Sequence, residues 1–364
     1  MERFGARRCT VDTGDLISVS NEEQLLVSHW ISNILARGKW DIYRIAGGVS
    51  SNVWLARDGD AAYVLKQALH RLRVRQCWEA PLARATFERR WLALAAELDP
   101  GMVAPTLHFD PALPLLVTAY LAPERFPVWQ RLLFAGTANC AQAAAVGAAL
   151  AGLHAHTAGK AQYRQRFDAA PVLWATRIDP YFFATAERHP RLATRLQALG
   201  RSVLREARAV IHGDASPKNI LLGPAGPVFL DAECACYADP AFDLAFCLNH
   251  LLLKGFALPA LRTPLAAQAG ALVDAYRSGV RWESADAVLG RAALLLPALM
   301  LARIDGKVPL AYLSAPALQQ TVRKIALHHL EAGTGALERL LESVVDASRP
   351  PIETAQENAD DDDA

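Results

Sequence analysis

The spacing of apolar residues predicts an α+β protein of two unequal lobes, a small antiparallel sheet followed by a mostly helical body. Three observations carry this expectation. Up to about residue 121 the apolar residues fall in short runs broken by Gly and Asp. Beyond Pro123 they recur at helical spacing. Within the helical part, one short hairpin flanked by polar residues interrupts the pattern.

Residues 22–36 place Leu25, Leu26, Trp30, Ile31, Ile34 and Leu35 at helical spacing, which predicts an amphipathic opening helix. Between residues 43 and 68 the period changes. An apolar segment and a Gly47-Gly48 turn precede Val53-Trp54-Leu55 and Ala62-Tyr63-Val64-Leu65, two strands joined through Asp58-Gly59-Asp60. Residues 83–98 read as a helix ended by Asp99-Pro100-Gly101, and residues 115–121 as a strand closing the first lobe. An Ala-rich helix at 141–154 has side chains small enough for close packing, and further helices are expected near 191–209, 240–254, 265–279 and 285–304. The interrupting hairpin pairs Ile220-Leu221-Leu222 with Val228-Phe229-Leu230 across a Gly- and Pro-rich turn. The expected division is 1–121 for the sheet lobe, 122–349 for the helical lobe and 350–364 for a disordered acidic tail.

With 38 basic and 37 acidic residues there is no net field to draw nucleic acid or an anionic membrane. Six scattered cysteines without paired C-x-x-C sets argue against a disulfide framework and a zinc ribbon, and Cys234-x-Cys236 is read as packing. No apolar stretch follows the charged N-terminus, and the greasy run at 292–302 is too short to span a bilayer and contains Pro297. The expectation is a soluble, cytoplasmic protein with no nucleic-acid or membrane partner. Its oligomeric state is not readable.

The densest polar cluster is His212-Gly213-Asp214-Ala215-Ser216-Pro217-Lys218-Asn219, followed after the hairpin by Asp231-Ala232-Glu233. Phosphoryl transfer needs a carboxylate to orient a hydroxyl and accept its proton, and oxygen ligands to hold magnesium against the phosphates. One loop and one strand end offer both. Asp214 is the candidate base and Asn219 and Asp231 the candidate metal ligands. Glu233, two residues on and on the same face of an extended segment, is a further ligand. Lys218 can neutralise charge on the moving group.

This pair of motifs, HGDASPKN and FLDAE, resembles the H-G-D-x-x-x-x-N and D-x-[DE] motifs of the aminoglycoside phosphotransferase and choline kinase-like family. Protein kinases carry a related H-R-D and D-F-G pattern, but Gly213 and Ala232-Glu233 depart from it and no A-P-E follows. The segment Asp239-Pro240-Ala241-Phe242-Asp243-Leu244-Ala245 extends the resemblance. The family's glycine is replaced by Ala238, and Asp243 is implied to start a helix and to bond the amides of the catalytic loop. The run from Asp231 to Asp243 is also similar to methylthioribose kinases, which implies a sugar-like alcohol, although those enzymes depart from this chain at the asparagine.

The resemblance implies a two-lobed protein kinase-like fold that binds ATP or GTP with Mg²⁺ and phosphorylates a hydroxyl of a small molecule, a sugar-like or amino alcohol. Gly48, Ser50, Ser51 and Asn52 fall where the family covers the phosphates. Lys66 falls where its lysine contacts them, with Glu88 as ion-pair partner ahead of Glu79. Ala119 and Leu121 fall where the backbone receives the adenine edge. His154 and His212 are read as structural rather than as a metal ligand and a base. His250, Lys254, Trp282 and Arg303 lie on helices facing the acceptor side in relatives, but no local pattern selects them. The alternatives are an inactive nucleotide-binding scaffold and a kinase acting on a protein hydroxyl.

Overall fold

The computed structural model describes residues 16–35, 38–46, 49–73, 78–307, 309–333 and 336–346. The expected Gly47-Gly48 turn and acidic tail lie outside these residues. Strands β1 (Leu16–Ser18), β2 (Asp41–Ile45), β3 (Ser51–Asp58), β4 (Ala61–Ala68), β5 (Thr106–Asp110) and β6 (Leu115–Ala119) form one antiparallel sheet in the order β1-β2-β3-β4-β6-β5. Gly59, at φ +57°, supplies the left-handed residue that the tight β3–β4 turn demands. Sequence periodicity found β2, β3, β4 and β6 but not the short edge strands β1 and β5, none of whose residues is buried.

Helix α1 (Asn21–Ile34) forms as expected, and Trp30, Ile31 and Ile34 of the expected face pack on the core, but Leu25 and Leu26 do not. Val27 and Ile31 enter a small core with Trp40, Ile42, Trp54 and Val117, while Leu25 is 72% exposed. Polar anchors turn the helix. Glu23 accepts from the Trp54 indole (2.6 Å) and pairs with Arg44. Gln24 accepts from the Ile42 N–H (3.1 Å) and donates to the Trp40 carbonyl (2.6 Å), so its amide reads the backbone at the start of β2.

Helix α2 (Arg84–Leu98) joins the lobes. Its Trp91 is fully buried against His212 and Phe229, ring centroids 4.9 and 5.8 Å away, within the large core of the helical body. That body contains α3 (Trp129–Ala135), α4 (Cys140–Thr157) and α5 (Ala161–Arg166). Next, α6 (Ala170–Leu173) runs through π-helical turns over Trp174–Phe183 into α7 (Ala184–Arg188). Then come α8 (Ala193–Arg205), α9 (Ala241–Ala257), α10 (Arg262–Gly279), α11 (Ala285–Asp305), α12 (Pro316–Ala332) and α13 (Leu337–Asp346). The anticipated close packing of the Ala-rich helix is real. A Cβ on Gly147 of α4 would lie 2.3 Å from the Leu272 carbonyl oxygen of α10, so only glycine lets the two helices approach this far. The apolar run at 292–302 belongs to α11, which by length and composition could cross a bilayer, yet 78% of its apolar stretch is buried inside the fold.

Two small antiparallel pairs sit within the helices: β7 (Ala209–Ile211) with β10 (Cys236–Ala238), and the expected hairpin β8 (Ile220–Gly223) with β9 (Gly226–Phe229). Together they present the 212–219 loop and residues 230–235 to the space under the sheet.

Candidate active site

The loop is held from behind by Asp243 in the first turn of α9. Its two carboxylate oxygens accept from the backbone N–H groups of His212 (2.6 Å) and Gly213 (2.8 Å), and His154 Nε2 approaches to 3.3 Å. Burial opposes the charge on Asp243, but His154 and the loop amides outweigh it and keep the carboxyl below its usual value. The cap of α9 is supplied instead by Asp239, whose Oδ1 accepts from the Ala241 N–H (3.0 Å). His154 is structural: Nδ1 meets the Tyr276 hydroxyl at 2.8 Å.

Buried His212 is held below its ordinary pKa, because burial disfavours the imidazolium more than the surrounding carboxylates favour it. Its Nδ1 accepts from the Asp214 N–H (3.1 Å), so the proton resides on Nε2, which donates to the Leu230 carbonyl (3.1 Å). Gly213, at φ +76°, leaves no room for a side chain. A Cβ there would fall 2.5 Å from the Cys234 carbonyl oxygen. Here the loop departs from H-R-D for a steric reason.

Asp214 Oδ2 accepts from Asn219 Nδ2 (2.8 Å) and Arg177 Nη2 (2.9 Å), and Lys218 Nζ stands 3.4 Å away. With the amide nitrogen of Asn219 spent on Asp214, its remaining polar atom is the acceptor Oδ1. Arg177 was missed by sequence reasoning. It sits on the π-helical stretch, donates also to the Gly213 carbonyl (2.7 Å), and is buried. An arginine in an apolar helix more than thirty residues upstream carries no local signal of this pairing.

On the sheet side, Lys66 Nζ bonds Glu88 (2.8 and 2.7 Å) and Asp231, with Glu233 at 3.8 Å. Burial works against the ammonium, but the three carboxylates outweigh it and raise Lys66 well above its usual value. Burial and the neighbouring carboxylates push Glu88 up to about 7 against the pull of Lys66. Glu79, the second candidate partner of Lys66, is exposed and pairs with Arg71 across a bridge. Asp231 takes a left-handed backbone, φ +63°. Residues 230–235 therefore turn rather than extend, and the expected shared face of Asp231 and Glu233 does not arise by strand alternation. Glu233 reaches the cluster through a second residue that the sequence hid, fully buried Arg84, whose Nε donates to Glu233 Oε2 at 3.1 Å. Cys234 and Cys236 are buried apart from this acidic cluster.

These groups border one cavity of about 580 Å³. Its lining includes Val53 and Val64 from the sheet, residues 118–121 of the connector, Leu221 and Leu230 below, and Lys66, Glu88, Asp214, Lys218, Asn219, Asp231 and Glu233 at the polar end. Ala119 and Leu121 both line it. The Ala119 N–H is held by the Pro105 carbonyl (2.9 Å), so its own C=O faces the same edge, away from β4. Ser50 and Ser51 line the cavity, and the buried Ser51 hydroxyl has no hydrogen-bond partner among the described residues. Asn52 does not join them: its side chain is taken by Gln67 (3.4 Å) and Arg73. Gly48 lies outside the described residues. Of the acceptor-side residues, His250 and Arg303 reach the cavity, whereas Trp282 packs against His154 and Tyr276.

A small sheet lobe over a helical lobe, with an ion-paired lysine above and an Asp/Asn loop below, defines a protein kinase-like fold. Two solved structures share it: a choline/ethanolamine kinase family protein from Mesorhizobium loti (TM-score 0.50, 18% identity, 90% of this chain and 98% of that one) and an ethanolamine kinase from Plasmodium vivax (TM-score 0.52, 12% identity, 90% and 88%). The profile of the phosphotransferase enzyme family matches residues 41–287, and the chain belongs to that family. Methylthioribose kinase of Yersinia pseudotuberculosis serotype O:3 (strain YPIII) is 28% identical over 254 residues, 62% of this chain and 62% of that protein. The enzyme of the same name from Klebsiella pneumoniae subsp. pneumoniae is 26% identical over 229 residues, 56% and 57%. The chain thus matches less than two thirds of the length of these curated relatives.

Proposed function

We propose that this protein transfers the γ-phosphate of ATP to a hydroxyl group of a small molecule. The observation that carries the reading is one cavity bordered both by the Lys66–Glu88 ion pair and by the Asp214–Asn219 pair, groups that can hold a nucleotide's phosphates and an acceptor hydroxyl respectively. The purine edge would meet the Ala119 carbonyl and Leu121 N–H, the phosphates Lys66 and the Ser50–Ser51 backbone. Asp214 would orient the alcohol and receive its proton as the oxygen–phosphorus bond forms. The bond from the γ-phosphorus to the bridging oxygen breaks and ADP leaves. Arg177 and Asn219 fix the Asp214 carboxylate for that task, and Lys218 lies close enough to face the moving phosphoryl group.

The donor set fits Mg²⁺, which when bound supplies charge neutralisation and alignment of the phosphates. Asn219 Oδ1 and the Asp231 carboxylate are the residues that would hold it. The carboxylates of Glu88, Asp231 and Glu233 also lie within 4.8 Å of one another, but they enclose the Lys66 ammonium, and Glu233 is already paired with Arg84.

The test is incubation with MgATP and a metabolite extract, followed by mass spectrometry for compounds that gain a phosphate. Asp214→Asn should lower turnover by about 10²–10⁴-fold while MgATP affinity is kept. An Asp214→Asn protein as active as the parent would defeat the reading. MgATP binding without transfer to any compound would favour a nucleotide-binding scaffold instead.

A further inference from the structure

The cavity continues past Asp214 to an end that carries cations without matching carboxylates. Among the described residues four carboxylates line the cavity, and all are committed: Glu88, Asp231 and Glu233 surround Lys66, and Asp214 is shared by Arg177, Lys218 and Asn219. Arg303, in the last turn of α11, lies at that end and is 92% buried, since only 8% of its surface is exposed. Its Nη1 donates to the Tyr181 hydroxyl at 3.0 Å, while Nε is buried with no hydrogen-bond partner among the described residues. No carboxylate among the described residues pairs with it. Tyr181 also receives the Arg177 guanidinium over its ring at 5.8 Å, so a chain of contacts runs from Asp214 through Arg177 and Tyr181 to Arg303.

Apart from Asp243 in its first turn, the neighbouring helix α9 contributes no carboxylate. His250, buried on α9 beside Phe246 (5.2 Å between rings), is held well below its ordinary pKa first by burial and then by Arg303, Lys254, Lys218 and Arg177. Lys254, buried behind it, donates to the His250 carbonyl (3.0 Å) and lies over the rings of Phe134 and Tyr312, and burial lowers its ammonium to about 7. A guanidinium buried without a counter-ion is costly to the fold unless a ligand completes it.

We propose that the acceptor alcohol carries an oxyanion, a carboxylate or a phosphate ester, which Arg303 binds while the hydroxyl faces Asp214. This rests on the phosphotransferase reading above and narrows it. An amino alcohol, positively charged near neutral pH, would set like charge against Arg303. An oxyanion would find a planar guanidinium with N–H donors beyond the one given to Tyr181.

A metabolite extract, separated into anion-exchanger-retained, cation-exchanger-retained and unretained fractions, is incubated with the full-length protein and MgATP, and new phosphate esters are identified by mass. The acceptor should come from the anion-retained fraction. Treating that fraction with alkaline phosphatase, removed before ATP is added, abolishes the product if the anchor is a phosphate and spares it if it is a carboxylate. With the fraction as substrate, Arg303→Met should raise KM about 10–100-fold. Arg303→Lys should recover part of that loss, and MgATP affinity and melting temperature report that each variant is folded. An acceptor found in the unretained or cation-retained fraction overturns the inference but leaves phosphotransfer standing. So does a fall in kcat at constant KM in Arg303→Met, which would put the guanidinium on the transferred phosphate. No phosphorylated compound in any fraction overturns phosphotransfer itself and this inference with it. If Arg303→Met does not fold, the fractionation alone decides.

Discussion

Replacing Arg84 by lysine keeps a positive charge beside Glu233 but reduces five N–H donors to three on a thinner stem. The guanidinium is fully buried, and besides Glu233 it serves the carbonyls of Ser50 (2.7 Å), Leu69, Ala80 (3.1 Å) and Pro81 (3.2 Å). Ser50 O keeps the Leu69 N–H at 2.9 Å and Pro81 O keeps the backbone N–H of residue 84 at 3.2 Å. The carbonyls that depend on the side chain are therefore those of Leu69 and Ala80. A lysine cannot reach both while holding Glu233, and a buried acceptor left unpaired costs about 1–3 kcal/mol, so Arg84→Lys should lose about 2 kcal/mol. Arg84→Met strands the carboxylate as well, at about 3–5 kcal/mol, for a total comparable to the whole stability of many proteins. The assay is urea unfolding followed by tryptophan fluorescence at pH 7. A lysine variant within about 0.5 kcal/mol of the parent would refute the reasoning, because it would mean the guanidinium fork is not what these carbonyls require.

Two further outcomes follow from the buried titrating groups. His250 and His212 both have folded pKa values depressed below that of a free imidazole, so the unfolded chain takes up protons first as the pH falls below about 6.5. Their contribution to stability is intact above that pH and is lost below it. For His250, whose depression is large, the loss should be about 1.4 kcal/mol per pH unit. Unfolding measured between pH 7 and 5.5 should show this slope, and His250→Gln should reduce it; a slope unchanged by that substitution would count against a neutral buried imidazole. Among the described cysteines, alkylation of the native protein should modify exposed Cys140 and spare Cys234, Cys236 and Cys247, since burial pushes the first two of these three thiols up to about 12 and the third higher. Peptide mass mapping before and after denaturation checks it, and labelling of Cys234 in the native protein would contradict its burial.

Much of the site was legible because it is local. His212, Asp214, Lys218 and Asn219 occupy one loop, and the hairpin that returns Asp231 to it is short enough to read from two apolar runs and a Gly/Pro turn. The Lys66–Glu88 pair came from the resemblance, which places a lysine at the end of that strand and its acidic partner on the next helix. Where the reading failed, tertiary contacts had overridden the local pattern. Leu25 and Leu26 of α1 share a spacing with buried residues, but Glu23 and Gln24 rotate the helix onto Val27 and Ile31. Asn52 has the right type and position to meet a phosphate, but Gln67 and Arg73 hold it elsewhere. Asp231 and Glu233 read as alternating strand residues, yet the left-handed turn at Asp231 removes the alternation.

What the sequence alone determined was the two-lobed order of the main elements and the local cluster around the candidate base Asp214, because apolar periodicity and short-range motifs encode both. What only the tertiary structure decided was the arginines. Arg84 reaches Glu233 across 149 residues, Arg177 reaches the catalytic loop from a π-helical turn, and Arg303 meets Tyr181 across 122. An arginine in a helix has the same local pattern whether it faces solvent or a buried acid. Its role is fixed by the partner that folding brings to it.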